Sequence, residues 1–126
     1  MHGDAVLLFF EKHMGALPIY ERFVERVQAE IADVRIKVQK SQISFYRRHM
    51  FACLSFIKVR PKSLCPADYL VVTVGLEHRL ISERVDVATE PYPNRWTHHI
   101  LLADPAEVDD ELMGWVRAAA EFAAQK

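Results

Sequence analysis

The spacing of apolar residues changes twice along this chain of 126 residues. After Pro18, apolar residues recur three or four positions apart as far as Ile31, which is typical of one face of an amphipathic helix. From Val34 onward they alternate with polar residues, the pattern of a half-buried strand, and beyond Asp104 the helical spacing returns. These changes predict a helix, a run of strands and a second long helix, in that order.

The predicted strands are short and closely spaced. Ile36 and Val38 are apolar at even positions but Ile43 and Phe45 at odd ones, and one strand cannot change faces without a bulge or a turn. We therefore expect a turn at residues 39–42. Further strands are expected at 43–47, 51–59, 69–76 and 97–102, with a shorter one at 84–88, whereas 77–83 are ambiguous and 60–68 and 91–93 are expected to be loops.

The last helix has its own start signal. Asp104 suits the N-cap, Pro105 suits the first helical position, and Glu107 completes a capping box. The helix is therefore expected to begin directly after Asp104. Since the connections between most of the strands are too short for parallel crossovers, the strands are expected to pair antiparallel.

The predicted fold class is α+β. We expect a helix, an antiparallel sheet of about five strands and a C-terminal helix, arranged as a two-layer sandwich with both long helices on one sheet face. At this length residues 1–126 are expected to form a single compact domain, with 1–16 as a loosely attached arm or a short helix. The alternation of the first strand puts Arg35 and Lys37 on the opposite, open face.

Positive charge is concentrated in one part of the sequence. Residues 34–67 contain eight Lys or Arg and no Asp or Glu, whereas the whole chain has 16 Lys+Arg, 17 Asp+Glu and a net charge of −1. The stretch thus carries +8, which leaves −9 for the remainder. A local positive field attracts anions even on a nearly neutral molecule, unless the acidic last helix packs over these strands and cancels it.

The sequence disfavours several classes of protein. No apolar run approaches the ~20 residues that span a bilayer, and the start of the chain does not resemble a secretory leader. Cys53 and Cys65 form no CxxC pair and are expected to be reduced, so we predict a cytoplasmic protein. The His, Cys and acidic residues match no zinc spacing and no nucleotide-binding loop is present, so neither a metal nor a cofactor is predicted.

Residues 90–99 combine prolines, aromatics and titratable groups. Adjacent strand residues point to opposite faces, so only one of His98 and His99 can join a given site. Because histidine titrates near neutral pH, either is a candidate acid–base group, with Glu90 to orient the imidazole. Arg95 and Trp96 are candidate ligand-binding residues. The alternative is one packed and one exposed histidine.

A second group of candidates lies within the basic stretch. Lys40 and Ser41 occupy the first predicted turn, where an irregular backbone can aim side chains at a ligand. Tyr46 and Arg47 begin a segment in which two adjacent arginines follow a tyrosine, an arrangement that suits a carboxylate or phosphate. Lys58 follows near the end of the third predicted strand. Ordinary solvated turns are the alternative at the first two places.

These segments resemble a bacterial family, the domain of unknown function 5655. The matching features are Lys40-Ser41-Gln42-Ile43-Ser44-Phe45-Tyr46 with the following Met50-Phe51-Ala52, the segment Trp96-Thr97-His98-His99-Ile100, the opening helix and the acidic final helix. The resemblance covers most of residues 34–122. It implies a compact α+β unit with no established activity, and it transfers no catalytic residue.

Several functions remain open at this point. The first is a binding module that holds an anionic ligand, small molecule or polymer, on the open sheet face. The second is a small enzyme that uses His98 or His99. A nucleic-acid-associated accessory domain is a further alternative, which the net charge of −1 disfavours. The last is self-association through the charge asymmetry, so the chain is expected to be a monomer or a homodimer.

Overall fold

A computed structural model describes residues 3–126 of the chain. Within them, one six-stranded antiparallel sheet is accompanied by three α-helices. The helices are α1 (Asp4–Phe9), α2 (Leu17–Glu30) and α3 (Asp110–Ala124). The strands are β1 (Arg35–Val38), β2 (Gln42–Tyr46), β3 (Met50–Ser55), β4 (Leu70–Leu76), β5 (Val87–Tyr92) and β6 (Arg95–Leu102). Their order across the sheet is β1–β2–β3–β4–β6–β5, so β1 and β5 are its edges.

One face of the sheet is apolar. A row in register across five strands consists of Val38, Ile43, Leu54, Val72 and Ile100. The last four of these side chains are 0% exposed, and burying each contributes about 1.5–3 kcal/mol to folding. This face is the one on which the long helices pack.

The adjacent row points to the other face and is mostly polar. It consists of Lys37, Ser44, Cys53, Thr73 and His99, again in register across five strands. The two rows follow from the alternation of side chains along each strand. The sequence therefore divides the sheet into a face for the core and a face for polar groups.

Both long helices lie on the apolar face. Phe23 of α2 meets Phe45 of β2 edge to face, with ring centroids 5.2 Å apart. The helix α3 packs on β3 and β4, and its Leu112 and Val116 are fully buried. The predicted α+β class, with helices on one face of an antiparallel sheet, is confirmed.

The sheet has six strands rather than about five, and β5 lies later in the chain than the short strand expected there. The sequence predicts a short strand at 84–88 followed by a proline loop, but β5 runs Val87–Tyr92 and includes Pro91. Proline lacks an N–H and is tolerated where a strand lies at the edge of a sheet. The turn that follows contains Asn94, whose φ is 60° and whose N–H donates to Glu90 (3.1 Å).

The predicted capping box is present, but it does not start the last helix. Asp104 and Glu107 cap a single 3₁₀ turn, Pro105–Glu107. The helix α3 begins later, at Asp110, and Asp109 is its N-cap, accepting the N–H of Leu112 at 3.0 Å. The sequence therefore contains two successive N-terminal caps, and the second one starts the long helix.

The opening segment packs on the core. The sequence leaves a loose arm or a short helix open for residues 1–16; Asp4–Phe9 form α1, and Phe10 is 0% exposed. A 3₁₀ turn, Met14–Ala16, then leads into α2. Met1 and His2 lie outside the described residues.

Candidate functional site

A cleft with a volume of about 1000 Å³ lies at one end of the sheet, between α1 and the β1–β2 turn. Its walls come from three places in the chain: the opening segment, the turn, and the end of β3 with the residues after it. The lining residues are Ala5, Leu8, Phe9, Glu11, Lys12, His13, Val38, Gln39, Lys40, Ser41, Gln42, Ser55, Phe56 and Ile57.

The β1–β2 turn holds one wall of the cleft. The N–H of Gln39 donates to the carbonyl of Gln42 at 2.9 Å, which leaves Lys40 and Ser41 as the two residues of a tight hairpin. Both residues are exposed. The turn therefore presents an ammonium and a hydroxyl at the mouth of the cleft.

Aromatic contacts hold the facing wall. Phe56, which follows β3, stacks on Phe9 with ring centroids 5.2 Å apart and on His13 at 4.1 Å. Leu8 and Ile57 add apolar surface and are 69% and 48% exposed. Much of this wall is thus apolar and accessible to solvent.

Two lysines give the cleft its positive charge. Lys12 and Lys40 both line it and are exposed. Within residues 3–126, neither forms an ion pair; Glu11 is the acidic residue among the lining side chains. The cleft therefore combines an apolar wall with two lysines that form no ion pair among the described residues.

The basic stretch is not neutralised by the acidic last helix. Of its eight cations, Arg60 pairs with Asp86 (2.6 Å), and no other one forms an ion pair in the described part of the chain. Arg35 donates to the carbonyl of Arg47 (3.0 Å) and lies over the ring of Tyr46. The charge asymmetry of the sequence is thus retained in the fold.

The carboxylates around α3 have partners from other segments. Arg84 donates to Asp109 (2.8 and 3.0 Å) and Glu111 (3.0 Å), and its guanidinium lies over the ring of Trp115. Burial by itself raises the pKa of Asp109, but hydrogen bonds from Arg84 and the Leu112 N–H bring it below its usual value. This cluster therefore fastens the 77–86 segment to the start of α3.

A second arginine cluster joins the two long helices. Arg26 of α2 pairs with Glu30 and with Asp110 of α3 (2.9 Å), and Glu30 also pairs with Arg117. The hydrogen bond from Arg26 is the main cause that lowers the pKa of Glu30. These charges stabilise the helix layer and leave the basic strands free.

His98 faces the helices and is 0% exposed. Its Nε2 accepts the N–H of Leu80 at 2.9 Å, and its Nδ1 lies 3.4 Å from the carbonyl oxygen of Val74. Since Nε2 accepts, the proton is on Nδ1, which donates to Val74. Burial lowers the pKa of His98. The neutral ring therefore fastens the segment after β4 to the sheet.

His99 points to the opposite face. Its Nδ1 lies 2.8 Å from the hydroxyl of Thr73, and burial lowers its pKa. Cys53 is the next residue in the same row, and burial raises the pKa of its thiol. An acid–base role for His98 or His99 stays a prediction, and His99 has the more accessible ring of the two.

The predicted ligand-binding residues lie in separate places. Lys40 and Ser41 line the cleft. Tyr46 and Arg47 are at the other end of β2, and Lys58 follows the cleft residue Ile57 without lining it. The remaining candidates lie at the far edge: Arg95 and Trp96 begin β6, and Glu90, the predicted orienting acid, accepts the Asn94 N–H instead of a bond from a histidine. Arg95 lines a separate cleft of about 300 Å³.

Lys12 and His13 are among the cleft residues that sequence reasoning missed. Their only local signal is an adjacent basic pair between the apolar run that ends at Phe10 and the break at Gly15. Nothing in that pattern indicates that this segment meets the β1–β2 turn. The missed side of the cleft depends on tertiary contacts of Phe56.

Two features are not found among the described residues. Across residues 3–126, no three His, Cys, Asp or Glu residues are grouped so that they could hold a metal ion. In the same range, no helix is long and apolar enough to cross a membrane.

Fold and cleft together define a small α+β domain with a mixed apolar and cationic cleft at the end of one antiparallel sheet. The chain belongs to the family described as "Domain of unknown function (DUF5655)", which matches residues 8–123. This match confirms the resemblance seen in the sequence, and it includes the cleft residues from Leu8 to Ile57. Neither the curated proteins nor the solved structures contain a significant match to the chain.

Proposed function

We propose that this domain is a binding module for a small anionic ligand with an apolar body. The observation that carries the proposal is the cleft of about 1000 Å³, in which Lys12 and Lys40 stand beside an exposed apolar wall. Pockets of 300–1,000 Å³ that combine apolar lining with a few polar groups are typical of small-molecule sites. The ligand lies at the end of the sheet, instead of on its open face as the sequence suggests.

The chemistry of the lining indicates the two halves of the ligand. An apolar or aromatic body that packs against Leu8, Phe9 and Phe56 is stabilised by about 25 cal/mol per Å² of apolar surface removed from water. Lys12 and Lys40 suit a carboxylate, sulfonate or phosphate, since charge-assisted hydrogen bonds are stronger than neutral ones. A ligand with only one of these halves uses only part of the cleft.

A nucleic acid is the alternative occupant of the basic surface. It would contact several of the unpaired cations at once. Its affinity would fall steeply with salt, because the slope of log affinity against log salt concentration is proportional to the number of phosphates neutralised. A ligand held by two lysines and an apolar wall depends on salt much less. Titrations at two salt concentrations therefore separate the two functions.

The test uses two fluorescent probes with the same apolar body. One is 8-anilinonaphthalene-1-sulfonate, which is an anion, and the other is the neutral N-phenyl-1-naphthylamine. In the double variant Lys12→Gln/Lys40→Gln, the affinity for the sulfonate is expected to fall about tenfold, since a charge-assisted bond contributes about 1.5–3 kcal/mol when it is well formed. The affinity for the neutral probe is expected to change little.

The control is the double variant Lys62→Gln/Lys126→Gln, which removes the same charge from exposed positions outside the cleft. It is expected to bind both probes as the unchanged protein does. Equal loss in both double variants, or sulfonate binding that is unaffected in the cleft variant, would contradict the proposal.

A further inference from the structure

The strand β1 has an outer side without partners. Gln39 and Gln42 form a hydrogen-bonded pair. Hydrogen-bonded and non-hydrogen-bonded pairs alternate along an antiparallel ladder, so Lys37 and Arg35 direct their backbone groups toward β2. The N–H and C=O groups of Ile36 and Val38 therefore point away from the sheet. Within residues 3–126, β1 pairs with β2 alone, and no turn, loop or cap hydrogen bond reaches these groups, although α1 lies close to the strand.

The other edge of the sheet is protected. The strand β5 contains Pro91, and its register with β6 is irregular between Thr89 and Tyr92. Proline and irregular pairing are two devices by which proteins block addition to an edge. The strand β1 has neither: it is regular over its four residues and contains no proline.

The side chains of β1 differ between its two faces. Arg35 and Lys37 point to the polar face and are exposed, whereas Ile36 and Val38 point to the helix face and are half-buried. Val38 also lines the cleft, and the exposed Leu8 of α1 lies on the opposite wall. A strand lying beside β1 would meet cations on one face and apolar surface on the other.

We infer that β1 binds an extended segment of a partner protein as a seventh strand, and that this segment alternates acidic and apolar residues. Its acidic side chains lie beside Arg35 and Lys37, and its apolar side chains lie on the helix face, with one entering the cleft near Val38. Main-chain hydrogen bonds to Ile36 and Val38 provide affinity, and the alternation provides specificity. The inference rests on the proposed function, since it places an apolar side chain of the segment in the cleft that the proposed function assigns to a ligand.

A second copy of the chain is a poor occupant of this edge. Two β1 strands paired around a two-fold axis would bring Arg35 and Lys37 of each copy onto the same face, and like charges on neighbouring strands are destabilising. An acidic segment makes the opposite-charge pairs instead. Charge complementarity therefore favours a different, acidic partner.

The test uses an acetylated and amidated peptide of sequence Glu-Val-Glu-Val-Glu-Val-Glu and amide hydrogen exchange followed by NMR. On addition of the peptide, exchange at the amides of Ile36 and Val38 is expected to slow at least tenfold. The amides of Arg35 and Lys37 already bond to β2 and are expected to change little. A peptide of the same sequence with N-methyl groups on the three valines is expected to lose this protection.

Protein variants test the charge requirement. Arg35→Glu/Lys37→Glu is expected to weaken peptide binding about tenfold or more, because two opposite-charge pairs become like-charge pairs. The control Lys62→Glu/Lys126→Glu reverses two exposed charges outside β1 and its adjoining turns, and is expected to retain at least half of the affinity. Circular dichroism of each variant establishes that it is folded.

The outcomes separate this inference from the proposed function. If the peptide leaves the exchange of Ile36 and Val38 unchanged while the sulfonate probe still binds, the edge is simply protected by its charges and the inference is overturned. If the edge amides of the free protein are already protected in a concentration-dependent manner, a second copy occupies β1 and the inference is also overturned. Sulfonate binding that Lys12→Gln/Lys40→Gln leaves unchanged overturns the proposed function instead, and this result is obtained without the peptide.

Discussion

Polar groups that face the long helices (here called the helix layer) have partners within the described part of the protein, whereas several polar groups at the β1 edge do not. In the helix layer, Arg26 and Arg84 each contact a carboxylate, and His98 uses both ring nitrogens. At the β1 edge, Arg35 and Lys37 have no ion pair within residues 3–126, although Arg35 donates to the Arg47 carbonyl, and the outer side of the strand pairs with no other strand. Satisfied polar groups contribute to folding, whereas unsatisfied ones at a surface are available to a ligand.

The comparison indicates where mutations should affect stability and where they should affect binding. Substitutions in the helix layer remove partners from groups that are at least partly withdrawn from water, which costs free energy of unfolding. Substitutions among the free cations remove groups that are already solvated.

The largest effect is expected for His98→Ala. The substitution leaves the N–H of Leu80 without its acceptor and removes a fully buried ring. We expect the free energy of unfolding, measured by urea denaturation at pH 7, to fall by about 3 kcal/mol. His99→Ala is the control, since His99 is only half-buried, and it should cost less than half as much. A loss below about 1 kcal/mol for His98→Ala would show that the hydrogen bonds and packing of the ring contribute little to stability.

An intermediate effect is expected for Arg84→Gln. The side chain contacts Asp109, Glu111 and the ring of Trp115, and it is 25% exposed, so solvent weakens each of these interactions. We expect a loss of about 1–2 kcal/mol in the free energy of unfolding. Arg48 is one of the cations without an ion pair in the described residues, and Arg48→Gln is expected to change the free energy of unfolding by less than about 0.5 kcal/mol. Equal losses in the two variants would remove the distinction between the regions.

The smallest effect is a dependence on pH between 7 and 5. The pKa of His98 and that of His99 are lowered by burial, so near pH 6 the unfolded chain binds protons that the folded chain does not. The free energy of unfolding therefore keeps its full value above about pH 6.5 and falls as the pH decreases toward the folded pKa values of the two histidines.

Urea midpoints at pH 7 and 5 measure this dependence. The lowered pKa values of Glu30 and Asp109 affect stability mainly below about pH 5, so they contribute little in this range. The variant His98→Gln is expected to have a weaker dependence than the unchanged protein. A dependence that is the same in both would mean that His98 does not contribute to it.

The parts of the fold that follow from local pattern were predictable. The stripe containing Phe23 and Val27 predicted α2, and the change of parity between Val38 and Ile43 located the first turn, because side-chain direction is fixed by helix and strand geometry. The true start of α3 was not predictable from the capping box, since Asp104 and Asp109 both carry cap signals. Only packing selects the second one.

The candidate site was predictable in smaller part. Lys40 and Ser41 were found because a turn in a basic stretch is a local feature. Lys12 and His13 could not be assigned to the same cleft, since their proximity to the turn depends on the packing of Phe56. Similarly, the unpaired side of β1 depends on the order of strands, which alternation alone does not fix.

The ring of Phe56 has a practical consequence for ligand discovery. It contacts Phe9, Phe10, His13 and Tyr69, so the wall of the cleft is also what attaches the opening segment to the rest of the chain. A compound that fills the cleft binds the folded state alone, and it therefore raises the melting temperature by an amount that grows with its concentration relative to Kd. Thermal-shift screening of aromatic and aliphatic acids can thus search for the natural occupant without any assay of activity.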